Sequence, residues 1–512
     1  MIDVCLLYPE KGKTASRGYG LPGDLVKDLN LSVILSAMAE KDECIYSVCQ
    51  SVLLNPIREE EILKFRQQMV LDACENPAFY EGAYQLASRA MRDFEKNKNQ
   101  GQKNHQERSK TQQIYDSLQM LLVQVKYLEQ LKEFMRTEAT ERTDGVASLA
   151  KKLREFYSDE FAEELRNLVE NMAFLLEGGR LVLTAGVGGG MKCADVVVNR
   201  LEPVDYREMG RVRRALRFLM IRFFSPEAIR LNATVLKQEA AQMETNGLHY
   251  TLQNYQKFIQ EFQDFFEQFR NETGFYVGCA TLYRKLSNLQ MKVSYPRVSR
   301  EPGQYDCRNL YELSMALGTL KNPVPNSFSD DCRLHVISGA NQGGKSTFLR
   351  SFGIAQVMMQ AGLFVPADYF VSSLYDNILT HFTRREDSSM NSGRLVEEMK
   401  RMNRIVDMIT SRSLLLFNES FSSTTEKEGG RIAESIIQAM YDSGVTVFMV
   451  THLFAFANSM YEKKLEKMRF MSAERKADGT RTFKIIDHEP TETSYGLDLY
   501  AELIGEPGAE VY

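Results

Sequence analysis

The stretch that decides the fold prediction is Gly339-Ala340-Asn341-Gln342-Gly343-Gly344-Lys345-Ser346-Thr347. It follows a short β-branched run, 334–338, and leads into a helical stretch that opens at Thr347. This is the strand–loop–helix context of a phosphate-binding loop, in which glycines let backbone N–H groups surround phosphate oxygens. The pattern predicts that Lys345 contacts the β- and γ-phosphates of a nucleotide and that Ser346 offers its hydroxyl to Mg²⁺. A glycine-rich turn with a chance lysine is the alternative.

Two later apolar runs predict the strands that such a loop needs beside it. The first, 414–417, ends in Asn418-Glu419. Glu419 could activate water for attack on the γ-phosphate, while Asn418 stands where an aspartate normally holds the Mg²⁺ shell. Because an amide brings no negative charge, we expect slow hydrolysis or weaker Mg²⁺ affinity. The second run, 445–450, ends at Thr451-His452, where His452 could sense the γ-phosphate, although a lone histidine there is often a structural cap.

The first 300 or so residues are predicted to be mostly helical. Two seams of apolar residues recur at helical spacing, one over 114–128 and an aromatic-rich one over 255–269. Long helices with narrow seams need a partner, so these two are expected to pair. The alternative is that both are ordinary core helices.

A different pattern separates the two seams and predicts a small β-rich segment at about 178–205. Apolar runs flank the glycine cluster 186–190, which favours strand, turn and strand over a nucleotide fingerprint. Prolines near residue 300 then precede alternating β-rich runs and helices. The predicted domains are therefore a helical region over 1–300 and an α/β domain over 301–512.

Composition limits the class of protein. Hydrophobic residues are 44% and charged residues 26% of the 512, which excludes collagen-like, disordered and membrane proteins. The net charge of −5 excludes a globally basic nucleic-acid binder, although a local basic face stays possible. The eight cysteines form no CxxC pair and the six histidines no zinc-like cluster, so reduced thiols, a cytoplasmic location and no structural zinc are expected.

Several of these motifs together resemble the MutS family of ATPases. The loop matches that family's GPNMGGKST segment at Asn341, at the paired glycines and at Thr347. The segment from Asn418 to Gly429 is similar to its acidic strand end, with Asn418 replacing the aspartate. Thr451-His452 matches its TH pair, and Thr493-Ser494-Tyr495-Gly496-Leu497 resembles its C-terminal segment.

The resemblance implies an ABC-like P-loop ATPase that binds ATP and Mg²⁺ in a site completed by a second subunit. The family's signature segment, which contacts the partner's γ-phosphate, corresponds here to 392–399; Glu398-Met399 match its end, and Ser392 is the residue expected to reach across. Val324-Pro325-Asn326 resembles the adenine-side segment, so Asn326 is a candidate nucleotide contact. The helical region resembles the family's core and lever helices, which would turn dimer closure into movement of a DNA clamp.

DNA contact is predicted from one further pattern. Arginines at helical spacing would place four guanidinium groups on one helix face, able to neutralise backbone phosphates independently of sequence; they are Arg207, Arg211, Arg214 and Arg217. A solvated or salt-bridged face is the alternative. The family's Phe-x-Glu mismatch wedge lies in a separate N-terminal domain, which we do not expect among these 512 residues, and Phe79-Tyr80-Glu81 is interpreted as a chance match.

The resulting expectation is a MutS-like, DNA-binding ATPase that works as a homodimeric clamp on double-stranded or branched DNA in repair or recombination, away from membranes. Its rival is an ATP-gated dimerising interaction protein with weak or no hydrolysis and a non-DNA partner. Turnover stimulated by DNA would favour the first, and ATP-dependent dimerisation without turnover the second.

Overall fold

The computed structural model describes most of the chain in two units. The described residues are 3–9, 18–102, 110–139, 143–158, 160, 163, 180–187, 193–202, 233–299, 301, 303–318, 322–339, 342–383, 393–476 and 480–490. One unit comprises Met1–Val4 and Gly82–Arg270, and the other comprises Cys5–Glu81 and Asn271–Tyr512. The predicted domain boundary at residues 300/301 stays a prediction.

Helices dominate the described part of the chain before residue 290. They are α1 (Pro22–Asp28), α2 (Leu31–Ala39), α3 (Glu43–Leu53), α4 (Glu60–Glu75), α5 (Pro77–Gln102), α6 (Lys110–Glu138), α7 (Asp144–Phe156) and α8 (Ala233–Asn288). None of the described helices combines the length and apolarity needed to cross a bilayer.

Both predicted seams lie on helices, which confirms the helical interpretation. The seam at 114–128 belongs to α6, and the aromatic seam at 255–269 belongs to α8. Within the first unit the two helices touch, because Gln124 Nε2 donates to the carbonyl of Ile259 at 3.0 Å. Leu121 and Phe262 are buried, whereas Phe258 is 49% exposed.

The predicted strand–turn–strand segment is also observed. Strand β1 (Arg180–Val187) pairs antiparallel with β2 (Cys193–Glu202) in a two-stranded sheet. The glycines at 188–190 lie outside the described residues. A clamp function for this hairpin stays a prediction.

In its described residues, the second unit carries two sheets and five further helices. The strands are β3 (Arg297–Val298), β4 (Tyr305–Leu310), β5 (Asn326–Asp330), β6 (Leu334–Ser338), β7 (Tyr369–Ser372), β8 (Asn377–Phe382), β9 (Ser413–Asn418), β10 (Thr446–Val450), β11 (Met468–Arg475) and β12 (Arg481–Asp487). The helices are α9 (Leu313–Gly318), α10 (Lys345–Gln360), α11 (Arg394–Val406), α12 (Glu426–Asp442) and α13 (Phe454–Glu462). A helical chain region combined with a mixed α/β unit fits the multidomain fold class that the sequence predicts.

The larger sheet has six strands in the order β12-β11-β6-β10-β9-β8. All neighbours are parallel except β12, which runs antiparallel to β11 at one edge. Strands buried on both faces need nearly continuous apolar sequence, and 414–417 and 447–450 supply it at 0% exposure. Val450 pairs with both Ile337 and Asn418, so the carboxyl ends of β6, β10 and β9 lie side by side. Loops that leave this edge converge, as ligand-binding loops do in open α/β sheets.

The smaller sheet has the order β3-β7-β4-β5. Helix α10 packs closely on the six-stranded sheet because Gly353 has no side chain there. A Cβ at this position would lie 2.6 Å from Leu416 Cδ1 and 2.8 Å from Leu29 Cδ2. The helix that follows the glycine-rich loop is thereby fixed against β9.

Candidate functional site

The loop between β6 and α10 turns sharply through residues with positive φ. Gly339 has a φ of 104°, Gln342 of 60° and Gly344 of 91°. Gly344 is the N-cap of α10, and none of the described side chains caps the helix. N–H groups of its first turn therefore remain available at the positive end of the helix dipole. Ala340 and Asn341 lie outside the described residues. The backbone therefore has the form that an anion-binding loop requires.

Lys345 begins α10, and its ammonium group turns back over the loop. Its Nζ donates to the carbonyl of Gly339 at 2.7 Å, and only 4% of the residue is exposed. Burial lowers the pKa of Lys345, while the negative charge of Glu419 opposes that shift. The charges of the lysine and the glutamate thus interact, although Lys345 begins α10 and Glu419 follows β9.

A cleft of about 450 Å³ opens beside the loop. That volume lies in the range of small-molecule sites. The predicted site residues that line it are Asn326, Gln342, Gly343, Gly344, Lys345, Ser346, Thr347 and Glu419. Asn418 and His452 do not line it, and Ser392 and the four arginines at 207–217 lie outside the described residues. The fold therefore brings most of the described candidates together.

One wall of the cleft consists of residues that the sequence patterns did not predict. Phe483 of β12 lines it with 44% of its surface exposed, and its Cβ would be 3.5 Å from a side chain at Gly344. Asn326 holds this wall, because its Nδ2 donates to the Phe483 carbonyl at 3.2 Å and its Oδ1 accepts from Ile485 N at 2.8 Å. The side chain of Asn326 is thus committed to backbone partners that shape the cleft.

Glu419 lies on a strained turn directly after β9. Its φ is 54°, and that of Phe421 is 66°. A non-glycine residue in this region costs roughly 1–3 kcal/mol and persists only where its surroundings impose it. Two hydrogen bonds hold the residue: Glu419 N donates to the Val450 carbonyl at 2.8 Å, and Thr383 Oγ1 donates to the Glu419 carbonyl at 2.6 Å.

Asn418 and Ser346 are the candidate Mg²⁺ ligands, and their oxygens suit that ion. Mg²⁺ prefers hard oxygen donors and keeps several of its waters. The Oδ1 of Asn418 is buried and has no hydrogen-bond partner among the described atoms, so it can accept from a metal-bound water. Ser346 lines the cleft, and its hydroxyl is a hard oxygen donor of the kind that Mg²⁺ takes. Ser346 and Asn418 thus fit Mg²⁺, although Asn418 offers a neutral amide at the position where a carboxylate would add negative charge.

His452 follows β10 on the same edge of the sheet. Its side chain is exposed, whereas the neighbouring Thr451 is buried. Thr451 N donates to the Ile337 carbonyl, and Thr451 Oγ1 accepts from Leu453 N, both at 3.0 Å. Thr451 thus fixes the chain where it leaves β10, and a role for His452 toward a nucleotide stays a prediction.

Phe79 is built into the protein interior. It lies in α5, is 5% exposed and contacts the Tyr80 ring edge to face at 5.1 Å between centroids. Tyr80 is itself fully buried and donates a hydrogen bond to Asp72 Oδ2 at 2.7 Å. This placement suits a packing role for the Phe-x-Glu match.

Comparisons with known proteins agree with the motifs. The family model described as MutS domain V matches residues 335–511, and the one described as MutS2 N-terminal domain matches residues 58–289. The DNA mismatch repair protein MutS of Streptococcus suis is 32% identical over 189 residues, which is 36% of this chain and 22% of that protein. The endonuclease MutS2 of Thermus thermophilus is 32% identical over 166 residues, or 31% of this chain and 22% of that protein.

A longer match, at lower identity, reaches into the helical region. The DNA mismatch repair protein MutS of Lactobacillus johnsonii is 25% identical over 304 residues, covering 56% of this chain and 33% of that protein. The chain thus spans between about a fifth and a third of the length of these curated relatives. Because two separate models, one on each side of residue 300, both describe parts of MutS proteins, the chain belongs to the MutS family.

Proposed function

We propose that this protein is an ATPase that binds ATP in the cleft beside α10 and hydrolyses it by attack of water. The observation that carries the proposal is the joint lining of one cleft by the glycine-rich loop, Lys345 and Glu419. A phosphate cradle alone would support binding; a carboxylate that the sheet brings to the same cleft supports a reaction.

Each group of residues has a distinct role in this reaction. Backbone N–H groups of 343–347 and the ammonium of Lys345 bind the phosphate oxygens, and Lys345 exchanges its bond to the Gly339 carbonyl for a phosphate oxygen. Glu419 accepts the proton of the attacking water. His452 donates a hydrogen bond to the γ-phosphate.

Ser346, through its hydroxyl, and Asn418, through its amide oxygen, would hold Mg²⁺. Bound Mg²⁺ supplies positive charge against the phosphates. Asn418 contributes no charge to this shell, so metal affinity or turnover is lower than a carboxylate would give.

The wider role that we propose is a DNA-binding, dimeric ATPase of DNA repair or recombination. Membership of the MutS family and the similarity to a DNA mismatch repair protein and to an endonuclease MutS2 support it. Ser392 would complete the partner's nucleotide site, and the arginines at 207–217 would contact DNA phosphates.

The test is ATP turnover by the purified protein, alone and with duplex, mismatched or branched DNA. We expect Glu419→Gln to abolish turnover while a non-hydrolysable ATP analogue still binds. Arg211→Glu combined with Arg214→Glu should weaken DNA binding and flatten its salt dependence. Turnover that survives Glu419→Gln would refute the assignment of the base, and an unchanged salt series would refute the DNA face.

The second candidate is an ATP-gated interaction protein that dimerises with little hydrolysis. The uncharged Asn418 at the metal position favours it. Nucleotide-dependent dimerisation, seen by light scattering in the absence of turnover and of DNA affinity, would select this function.

A further inference from the structure

The strained turn that carries Glu419 is tied to helix α11 at two points. Phe421 N donates to the carboxylate Oε2 of Glu398 at 3.1 Å. The backbone carbonyl of Glu398 lies 3.2 Å from His381 Nε2, and His381 Nδ1 lies 2.7 Å from Ser420 Oγ. One residue of α11 therefore reaches the turn both directly and through a histidine of β8.

Every group in this connection is buried. Glu398 is 7% exposed, while His381, Ser420 and Phe421 are fully buried. Burial raises the pKa of Glu398, with the bond from Phe421 N acting in the opposite direction. A buried carboxylate that accepts a backbone N–H is costly to remove, since the donor is then left without a partner.

The ring of His381 adds packing to the hydrogen bonds. It stacks on Phe421 with 5.5 Å between ring centroids and 21° between planes. Ser420 Oγ also donates to the His381 carbonyl at 2.5 Å. The two residues that follow Glu419 are thus held by side chains from α11 and β8.

This arrangement explains how two positive-φ residues coexist in the turn. Left alone, Glu419 and Phe421 would relax toward negative φ, and the Glu419 carboxylate would leave its direction toward the cleft. General-base catalysis depends on that direction, since the carboxylate must reach one particular water.

We propose that Glu398 and His381 are positioning residues that hold the Glu419 turn in its reactive geometry. The predicted effect on kcat rests on the proposed ATPase function. The anchoring of the turn does not depend on that function. Neither residue lines the cleft, so both act through the backbone of 419–421.

The experiment compares Glu398→Ala, Glu398→Gln and Ser420→Ala with wild type in the full chain. Glutamine keeps an oxygen that can accept from Phe421 N, whereas alanine does not. We expect kcat to fall by at least about tenfold in Glu398→Ala, with the affinity for a non-hydrolysable ATP analogue unchanged, and to recover in Glu398→Gln. Ser420→Ala should lower kcat in the same way. The matched control is Glu434→Ala, which removes a half-buried glutamate paired with Lys463 at 2.8 Å on α12.

Hydrogen exchange of the segment 419–423, without nucleotide, gives a readout that needs no activity. Exchange should become faster in Glu398→Ala and stay near wild type in Glu398→Gln and Glu434→Ala. Equal kcat in Glu398→Ala and Glu434→Ala, or unchanged exchange in Glu398→Ala, would overturn the proposal. Equally slow turnover in Glu398→Gln and Glu398→Ala would do so as well. A wild type that binds ATP without turnover would instead refute the ATPase function, and exchange would still decide the anchoring.

Discussion

Gly429 of α12 packs against the Glu419 turn, so a side chain at this position would displace the turn. The residue lies in the first turns of α12 and is buried; a Cβ there would be 2.3 Å from the Phe421 carbonyl oxygen. Ordinary contact begins near 3.4 Å, so Gly429→Ala forces that oxygen to withdraw by about 1 Å. The neighbouring Gly430 is a matched control, because its Cβ would lie 3.7 Å from the nearest atom, Phe456 N.

Two opposing free-energy changes set the expected stabilities. Replacing glycine by alanine inside a helix raises the free energy of unfolding by up to about 1 kcal/mol, and this applies at both positions. The clash at Gly429 lowers the free energy of unfolding by roughly 1–3 kcal/mol, whereas Gly430 has room for a Cβ. We expect Gly430→Ala to be neutral or stabilising and Gly429→Ala to be less stable than it by about 1–3 kcal/mol. A 1 Å shift of the base can cost about a hundredfold in kcat.

Denaturant unfolding gives the stabilities, and steady-state ATP turnover gives kcat. Nucleotide affinity should stay unchanged in both variants, because the loop at 342–347 is not displaced. Equal stability and equal kcat in the two alanine variants would refute the close packing of Gly429 on the turn. A loss of kcat in Gly430→Ala alone would point to a different cause.

Three further predictions follow from single side chains. Lys345→Ala should abolish binding of ATP, measured by calorimetry, because no other cation of the described residues lines the cleft; retained affinity would contradict the phosphate role of Lys345. Burial opposes ionisation of Asp330, but the hydrogen bond and charge of His335, helped by Arg469, lower its pKa to about 2 from 3.8. The ionised Asp330 side chain therefore stabilises the fold fully above about pH 4, and this contribution is lost as the pH falls toward 2. In urea unfolding, Asp330→Asn should lower the free energy of unfolding by roughly 2 kcal/mol at pH 7 and by progressively less below pH 4. A difference that does not change with pH would refute this. Asn418→Asp should lower the Mg²⁺ concentration needed for half-maximal turnover, and a metal titration identical to wild type would remove the proposed effect of the missing charge.

Local signals in the sequence predicted the parts of the site that are built locally. The glycine-rich loop and the helix α10 after it follow from the glycines and from the apolar run before them, which act locally. The buried strands β9 and β10 follow from apolar runs, and their parallel pairing brings Asn418 and Thr451 to one edge. The helices α6 and α8 follow from periodicity alone.

Other parts depend on residues far apart in the chain, and no local pattern encodes them. The bond between Asn326 and Phe483 joins positions 157 residues apart, so the aromatic wall of the cleft could not be predicted. The contact between Glu398 and Phe421 depends on how α11 lies beside the turn that follows β9, which the apolar pattern of neither segment specifies. The signature-like Glu398-Met399 was recognised in the sequence, but its contact with the Glu419 turn was not.

The position of β6 in the sheet has a consequence for how the protein is made. This strand precedes the glycine-rich loop, yet both of its neighbours, β10 and β11, come from much later in the chain. During synthesis β6 therefore emerges without a strand partner. Its first partner, β10, is complete only at Val450, and its second, β11, only at Arg475. Such long-range parallel pairing forms slowly and leaves edges open to aggregation. The sheet edge that carries the cleft therefore forms only after most of the chain has been made.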